Sequence, residues 1–308
     1  MNGRDTPVHV PVLLDEVLAL LQPRADGVYV DCTFGRGGHA AALLARLGER
    51  GRLYAFDRDG EAASSRPDLL ADPRLHFERR PFSDARDALE AAAVYGAIDG
   101  VLMDLGVSSP QLDTGTRGFS FQHDGPLDMR MDTSTGETAA SWLARAPVED
   151  IERCLREYGE ERHARRIARR IVEARTQAPI DTTRKLAELV VSAVPRSAER
   201  LHPATRSFQA LRILINDELG ELTRALPALR DGLAPGGRLC VISFHSLEDR
   251  IVKRFFRDSA KPVDRFPQPS LPAPYVLVTR KSVVPSDAEC AANPRARSAR
   301  LRCLERAA

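Results

Sequence analysis

Residues 31–39 read DCTFGRGGH, and how this nonapeptide is read decides the fold. Before it lies the β-type run Val28-Tyr29-Val30, and after it the helix-favouring AALLARL of residues 40–46. A glycine bend between strand and helix lets the backbone approach a ligand closely. The helix start that follows leaves amide N–H groups without intrahelical partners. Gly35, Gly37 and Ala40 also satisfy the G-x-G-x-x-G/A spacing of a dinucleotide fingerprint. Asp57 lies 20 residues beyond Gly37, closing the strand-like Leu53-Tyr54-Ala55-Phe56, where a carboxylate can accept ribose hydroxyls. Taken alone, the bend serves a nicotinamide dinucleotide and S-adenosylmethionine equally well, and a plain structural turn stays open.

Outward from this bend, strand-like and helix-like segments alternate. Leu75-His76-Phe77 gives a weaker third strand, and Val101-Leu102-Met103 a fourth that ends at Asp104. This rhythm predicts a parallel sheet with crossover helices. From Asp104 to Asp132 it stops, in a stretch holding Gly106, Pro110, Gly115, Gly118, Gly125 and Pro126. An irregular segment of that length is usually a lid or binding loop, and it begins on the sheet edge where α/β proteins bind ligands. From about Thr138 to about Leu226 the pattern is helical. Ala164, Ile167, Ala168, Ile171 and Val172 follow the spacing of one buried stripe, with Arg165, Arg166, Arg169 and Arg170 on the other face. Those arginines form either an ion-paired, solvated face or an RNA contact. Strand-like Arg238–Phe244, helix-like Leu247–Phe256, β-rich Tyr275–Val284 and a short strand near Leu301–Leu304 resume the alternation. The Pro-rich stretch from Pro262 to Pro274 reads as an exposed loop.

A chain of 308 residues with 43% hydrophobic and 29% charged residues suits a globular protein with a full core. The net charge of only +2 does not announce a nucleic-acid binder, so any basic surface must be local. Cys32, Cys154, Cys240, Cys290 and Cys303 are scattered, without a CxxC pair, which argues against a disulfide framework or structural zinc. The amphipathic run from Val12 to Leu21 is too short and too charged for a signal peptide or a membrane span. Cytoplasmic location, with no membrane partner, is the expectation.

The motifs together resemble one family. HVPVLLDEV (9–17), DCTFGRGGH (31–39), FDRD (56–59), DLGVSSPQLDTGTRGFSFQHDGPLDMRMD (104–132), YGEER (158–162), HPATRSFQALRI (202–213), PGGRLCVISFHSLEDRIVKRFF (235–256) and NPRARSARLR (293–302) occur in order over nearly the whole chain. The sequence is similar to the bacterial 16S ribosomal RNA cytosine-N4 methyltransferases, the MraW family. That resemblance implies an α/β, class I S-adenosylmethionine methyltransferase fold, Rossmann-like, with a mostly parallel sheet, a terminal antiparallel hairpin and an inserted all-helical domain. The expected division is residues 1–133 and 214–308 for the methyltransferase domain, with 134–213 as a helical, RNA-recognising insertion. Implied cofactor contacts are Gly37, Gly38, His39, Asp57, Phe82, Asp104 and Gln111. Phe82 lies in RPFSD (80–84), where the family usually has GPFS, so Arg80 is a departure. Without the resemblance, Phe82 reads as a core aromatic, His39 as a helix-start residue and Gln111 as a solvated loop residue. The implied substrate is a cytidine in the decoding (P-site) region of 16S rRNA within the small subunit, and a homodimer is left open.

Cytosine's exocyclic nitrogen is a poor nucleophile because its lone pair is delocalised into the ring. It must be held in line with the methyl group, about 3–3.5 Å away, among acceptors that favour a pyramidal nitrogen and take its proton. Many amine-directed nucleic-acid methyltransferases carry Asp/Asn-Pro-Pro-aromatic after the fourth strand. Here Asp104-Leu-Gly-Val-Ser-Ser-Pro110 stands instead, making Asp104 the candidate orienting group, with Ser108 and Ser109 as helpers. His245 in SFHSLED is a candidate proton acceptor or a loop anchor. No residue spacing resembles a metal-ligand set, and no cysteine sits where carbon-5 methylation needs a nucleophile. Arg295, Arg297, Arg300 and Arg302 are candidate RNA contacts, the last two sharing a face if the segment is a strand. Trp142 reads as core or as a stacking surface for a flipped base. Three rival functions remain: a nicotinamide-dependent oxidoreductase, a non-catalytic ribosome-assembly factor that binds RNA, and a methyltransferase acting on protein or a small molecule.

Overall fold

The hydrophobic runs read from the sequence become neighbouring strands of one sheet. In the computed structural model, residues 11–195, 202–265 and 268–308 are described, with the side chains of 263–270 left aside. Two compact units emerge, one from residues 1–106 with 221–308 and one from Val107–Gly220.

The first unit begins with α1 (Leu14–Leu21), β1 (Val28–Asp31), α2 (Gly38–Leu44), β2 (Arg52–Asp57), α3 (Gly60–Ser65), α4 (Pro67–Leu70), β3 (Leu75–Arg79), α5 (Ala85–Ala91) and β4 (Ile98–Asp104). The second unit holds α6 (Ser109–Asp113), α7 (Ala139–Arg145), α8 (Val148–Gly159), α9 (Ala164–Arg175), α10 (Thr183–Ala193) and α11 (Thr205–Asn216). Then come α12 (Glu218–Asp231), β5 (Leu233–Ser243), α13 (Ser246–Ser259), β6 (Val263–Arg265), β7 (Gln268–Leu271), β8 (Tyr275–Leu277), α14 (Asp287–Ala292) and β9 (Arg300–Arg306).

The sheet order is β3-β2-β1-β4-β5-β9-β8. From β3 to β5 every pairing is parallel, and β9 runs antiparallel to both β5 and β8. The parallel part is the sheet expected from the alternation, and the whole is the Rossmann-like, class I methyltransferase arrangement that the resemblance implies. Side chains alternate across it. Tyr29, Leu53, Ala55 and Leu102 enter one buried layer, and Val30, Tyr54, Phe56, Val101 and Met103 enter the other. Burial on both faces explains why these strands read as continuous apolar runs.

Three expectations change. The stretch 104–132 is not structureless: it forms α6, and Phe119, Leu127, Met129 and Met131 enter the core of the helical unit. Asn216 pins it there, its Oδ1 accepting from Met131 N at 2.7 Å and its Nδ2 donating to Met129 O at 2.8 Å. The compact helical unit spans Val107–Gly220, and these apolar residues have their partners in its core. The stretch Pro262–Pro274 contains the antiparallel pair β6–β7, and within Tyr275–Val284 only the first three residues form a strand. The link from β8 to β9 is no tight turn, since it carries α14. All five cysteines are free. Among the described residues no helix is long and apolar enough to cross a membrane.

Candidate active site at the carboxyl edge of the parallel strands

Asp31, Asp57 and Asp104 are the last residues of β1, β2 and β4. Asp31 pairs with Ala55 on one side and Leu102 on the other, so Asp57 and Asp104 each stand two residues further along. Backbone bonds draw the glycine bend across this edge. Asp104 N donates to Thr33 Oγ1 at 2.7 Å, Phe34 N to Phe56 O at 3.0 Å, and Gly35 N to Asp57 Oδ2 at 2.7 Å. Gly37, with φ at 66°, turns the chain into α2 through the left-handed region that glycine enters without strain. A Cβ at Gly38 would lie 2.4 Å from Pro11 Cγ, so a side chain there has no room.

The edge carries more charge than it neutralises. Asp31 is 1% exposed: its Oδ1 accepts from Thr33 N at 3.0 Å, while its Oδ2 is buried without a hydrogen-bond partner among the described residues. Burial raises its pKa to about 6, against His39 and the Thr33 amide, with Asp104 and Asp57 adding to the rise. Asp57 is also raised to about 6 by burial, although the amides of Asp59 and Gly35 favour its charge. His39, in the first turn of α2, is buried with Nε2 3.6 Å from Asp104 Oδ2. That is too long for a hydrogen bond and close enough for attraction between charges. Burial pushes the imidazole pKa down, but Asp104 and Asp31 outweigh it and the net shift is upward. Both ring nitrogens and Asp104 Oδ1 are buried without a hydrogen-bond partner among the described residues.

A buried polar atom left unpaired costs about 1–3 kcal/mol, and a cluster of such atoms calls for an explanation in function. Asp31 Oδ2 and Asp104 Oδ1 are acceptors without donors beside partly cancelled negative charge. A cationic ligand with N–H groups fits that donor-poor edge. Each Asp57 oxygen already accepts one backbone N–H, yet a carboxylate oxygen has a second lone pair for a diol.

A second brace holds the far side of the edge. Arg58 Nη1 reaches Glu221 Oε2 of α12 at 2.8 Å, and Glu221 is buried. Burial raises the Glu221 pKa, opposed by Arg58 and by the amides of Ser83 and Phe82. Phe82 is half-buried against the layer that contains Val30 and Phe56. Arg80, the departure beside it, pairs with Glu78 at 2.5 Å. Sequence reading missed Glu221, which lies 163 residues from Arg58 with no local signal to connect them. It also assigned no contact to Thr33, whose hydroxyl ties β1 to β4.

Gly37, Gly38, His39, Asp57 and Asp104 are thus brought together, with Phe82 linked through Glu221. Ser108, Ser109 and Gln111 belong to the other unit. There Ser108 and Gln111 form a capping box on α6, with Ser108 N donating to Gln111 Oε1 at 2.8 Å. His245 caps α13: Glu248 Oε2 accepts from Phe244 N at 2.8 Å and His245 N at 3.2 Å, and His245 Nε2 lies 3.2 Å from Glu248 Oε1. Its Nδ1 accepts from Glu248 N at 3.5 Å, while Nε2 is buried without a hydrogen-bond partner among the described residues. Arg295, Arg297 and Arg300 are exposed. Arg302 is not available for phosphate: it is 9% exposed and forked onto Asp249 of α13 at 2.7 and 3.0 Å. Leu301, Arg302, Cys303 and Leu304 of β9 are buried, while Arg300 at its start is exposed. Trp142 is half-buried against the core of the helical unit.

The model of the MraW methylase family matches residues 6–307. The chain belongs to the MraW methylase family. Its relatives include the ribosomal RNA small subunit methyltransferase H of Thioalkalivibrio sulfidiphilus, 54% identical and covering 100% of both chains. The protein of that name from Azoarcus sp. is 56% identical, covering 97% of this chain and 96% of its own. That from Neisseria meningitidis serogroup A is 48% identical, covering 100% and 95%. Membership of the MraW methylase family thus extends over the sheet-forming unit and the helical unit alike.

Proposed function

We propose that this MraW-family methylase transfers a methyl group from S-adenosylmethionine to the exocyclic N4 of a cytidine in the decoding region of small-subunit ribosomal RNA, in the cytoplasm. One observation carries the reading: unpaired, buried acceptors on Asp31 and Asp104 at the edge where the glycine bend meets Asp57. The names of the full-length relatives support rRNA as the substrate class.

When bound, S-adenosylmethionine supplies a methyl group on a positively charged sulfur, ready for attack by a nucleophile. Asp57 would take the ribose hydroxyls and Phe82 the flat face of the base, while Gly37 and Gly38 keep the bend free of side chains. Asp31, raised by burial, gains a cationic neighbour when the donor enters. Asp104 has two distinct oxygens. Oδ2 is held toward His39, and Oδ1 is left to accept a hydrogen bond from the cytosine amine and then its proton. His245 holds the loop after β5 through its cap, and Ser108, Ser109 and Gln111 shape the segment leaving β4. The helical unit and the exposed Arg295, Arg297 and Arg300 are assigned to RNA contact. No metal is assigned a role.

The test is methyl transfer to small subunits from a strain lacking this gene, followed by mass analysis of the nucleosides. N4-methylcytidine is expected, and Asp104→Ala should lower turnover by about 10²-fold or more. A 5-methyl product, or full turnover by the variant, would contradict the assignment.

A further inference from the structure

Helix α9 carries a surface unlike the rest of its unit. Arg162, His163, Arg165, Arg166 and Arg169 line one open concavity of about 420 Å³. All five are exposed, while Ile167, Ala168 and Ile171 of the same helix are buried. Arg165, Arg166 and Arg169 lie on α9 at i, i+1 and i+4, the first and last sharing one face, and Arg162 joins them from the turn that precedes the helix.

Elsewhere among the described residues of the unit, exposed cations are neutralised locally, as in Arg153–Asp150 at 2.7 Å, Arg156–Glu152 at 2.9 Å and Arg184–Asp124 at 3.6 Å. Arg170, the next arginine on α9, pairs with Glu173 at 3.0 Å and does not line the concavity. Arg162, Arg165, Arg166 and Arg169 form no ion pair among the described residues. The acid nearest the start of the cluster, Glu161, is buried and receives the backbone N–H of His163 at 2.8 Å. The helix opens with no acidic residue in its first turn and no side-chain cap, so its positive end adds to the cluster. Like charges gathered this closely repel unless an anion lies among them. Guanidinium forks match phosphate oxygens in two-point contacts.

We infer that this concavity is a docking surface for the phosphodiester backbone of the RNA substrate, with Arg162, Arg165, Arg166 and Arg169 as its contacts. Phosphate contacts of this type position a nucleic acid without reading its bases. The surface thus fixes where the RNA lies, and the target base is chosen elsewhere. The inference rests on rRNA being the substrate.

The experiment measures binding of the full-length protein to unmethylated small subunits, and separately to protein-free 16S rRNA, across a salt series. The variant R162Q/R165Q/R166Q/R169Q should bind both at least about tenfold more weakly. Its plot of log affinity against log salt should be shallower by about three to three and a half, since each of the four lost phosphate contacts removes about 0.7–0.9. R156Q, which loses one ion-paired arginine, should leave the slope unchanged, and S-adenosylmethionine affinity should be the same in all proteins. If the fourfold variant does not fold, R165Q/R169Q is read the same way, with about half the change in slope. An unchanged slope with wild-type binding intact would overturn the surface alone. A loss confined to intact subunits, with protein-free rRNA bound normally, would overturn it in favour of an acidic protein partner. Wild-type protein that neither binds nor methylates small subunits would instead contradict the proposed function.

Discussion

Asp31 shows most plainly how a single residue trades stability for binding. Its folded pKa lies at about 6 against an ordinary 3.8, so the native state holds the proton more tightly than the unfolded chain does. The sign follows: its contribution to stability is whole below about pH 4 and is lost as pH rises through about 6. At neutral pH the buried charge is a net cost, on the order of 3 kcal/mol. Asp31→Asn keeps the acceptor for Thr33 N and removes that charge. Its melting temperature without ligand should equal or exceed the wild type, while donor affinity falls by about tenfold or more. A marked drop in melting temperature, seen by calorimetry, would show that Asp31 is structural. Asp57 and Asp104 were legible in the sequence because each ends an apolar run. The unpaired oxygens were not, because they depend on what three separate strands place around them.

Elements were legible where a continuous apolar run carried the information, as in β1, β2 and β4, and illegible where partners were distant. The stretch after β4 looked unstructured because its apolar residues follow no period; Leu127, Met129 and Met131 are positioned by a helical core formed almost entirely later in the chain. The capping box Ser108-Ser-Pro-Gln111 was a local signal that passed unread. Arg302 was misplaced for a related reason. Alternation correctly gives two faces to a strand, but not which face is covered, and Asp249 of α13 covers this one. The same capping logic makes a distinction at α13. If His245 works as the cap, Asn, a strong capping residue, should replace it with near-normal turnover, whereas Ala should cost about 1 kcal/mol of stability. Thermal melts beside turnover rates decide this. A His245→Asn variant that melts normally but turns over far more slowly would return the histidine to the chemistry.

At the scale of the whole molecule, a net charge of +2 concealed two local excesses of opposite sign. One is acidic, at the carboxyl edge of the sheet. The other is basic, on α9 of the helical unit. Composition averages both away, which explains why it revealed neither donor nor substrate while the ordered motifs revealed the family. The acidic edge is the claim on which the rest depends, and the pH dependence of donor affinity tests it most directly. Asp31 and Asp57 must give up protons held at about pH 6 before a cation can occupy the edge. His39, whose pKa is raised, loses charge as pH rises, which favours the cation in the same direction. Calorimetric titration with S-adenosylmethionine should therefore show affinity falling about tenfold for each carboxylate involved between about pH 7 and about pH 5. Affinity that stays level over that range, or strengthens toward acid, would contradict the account.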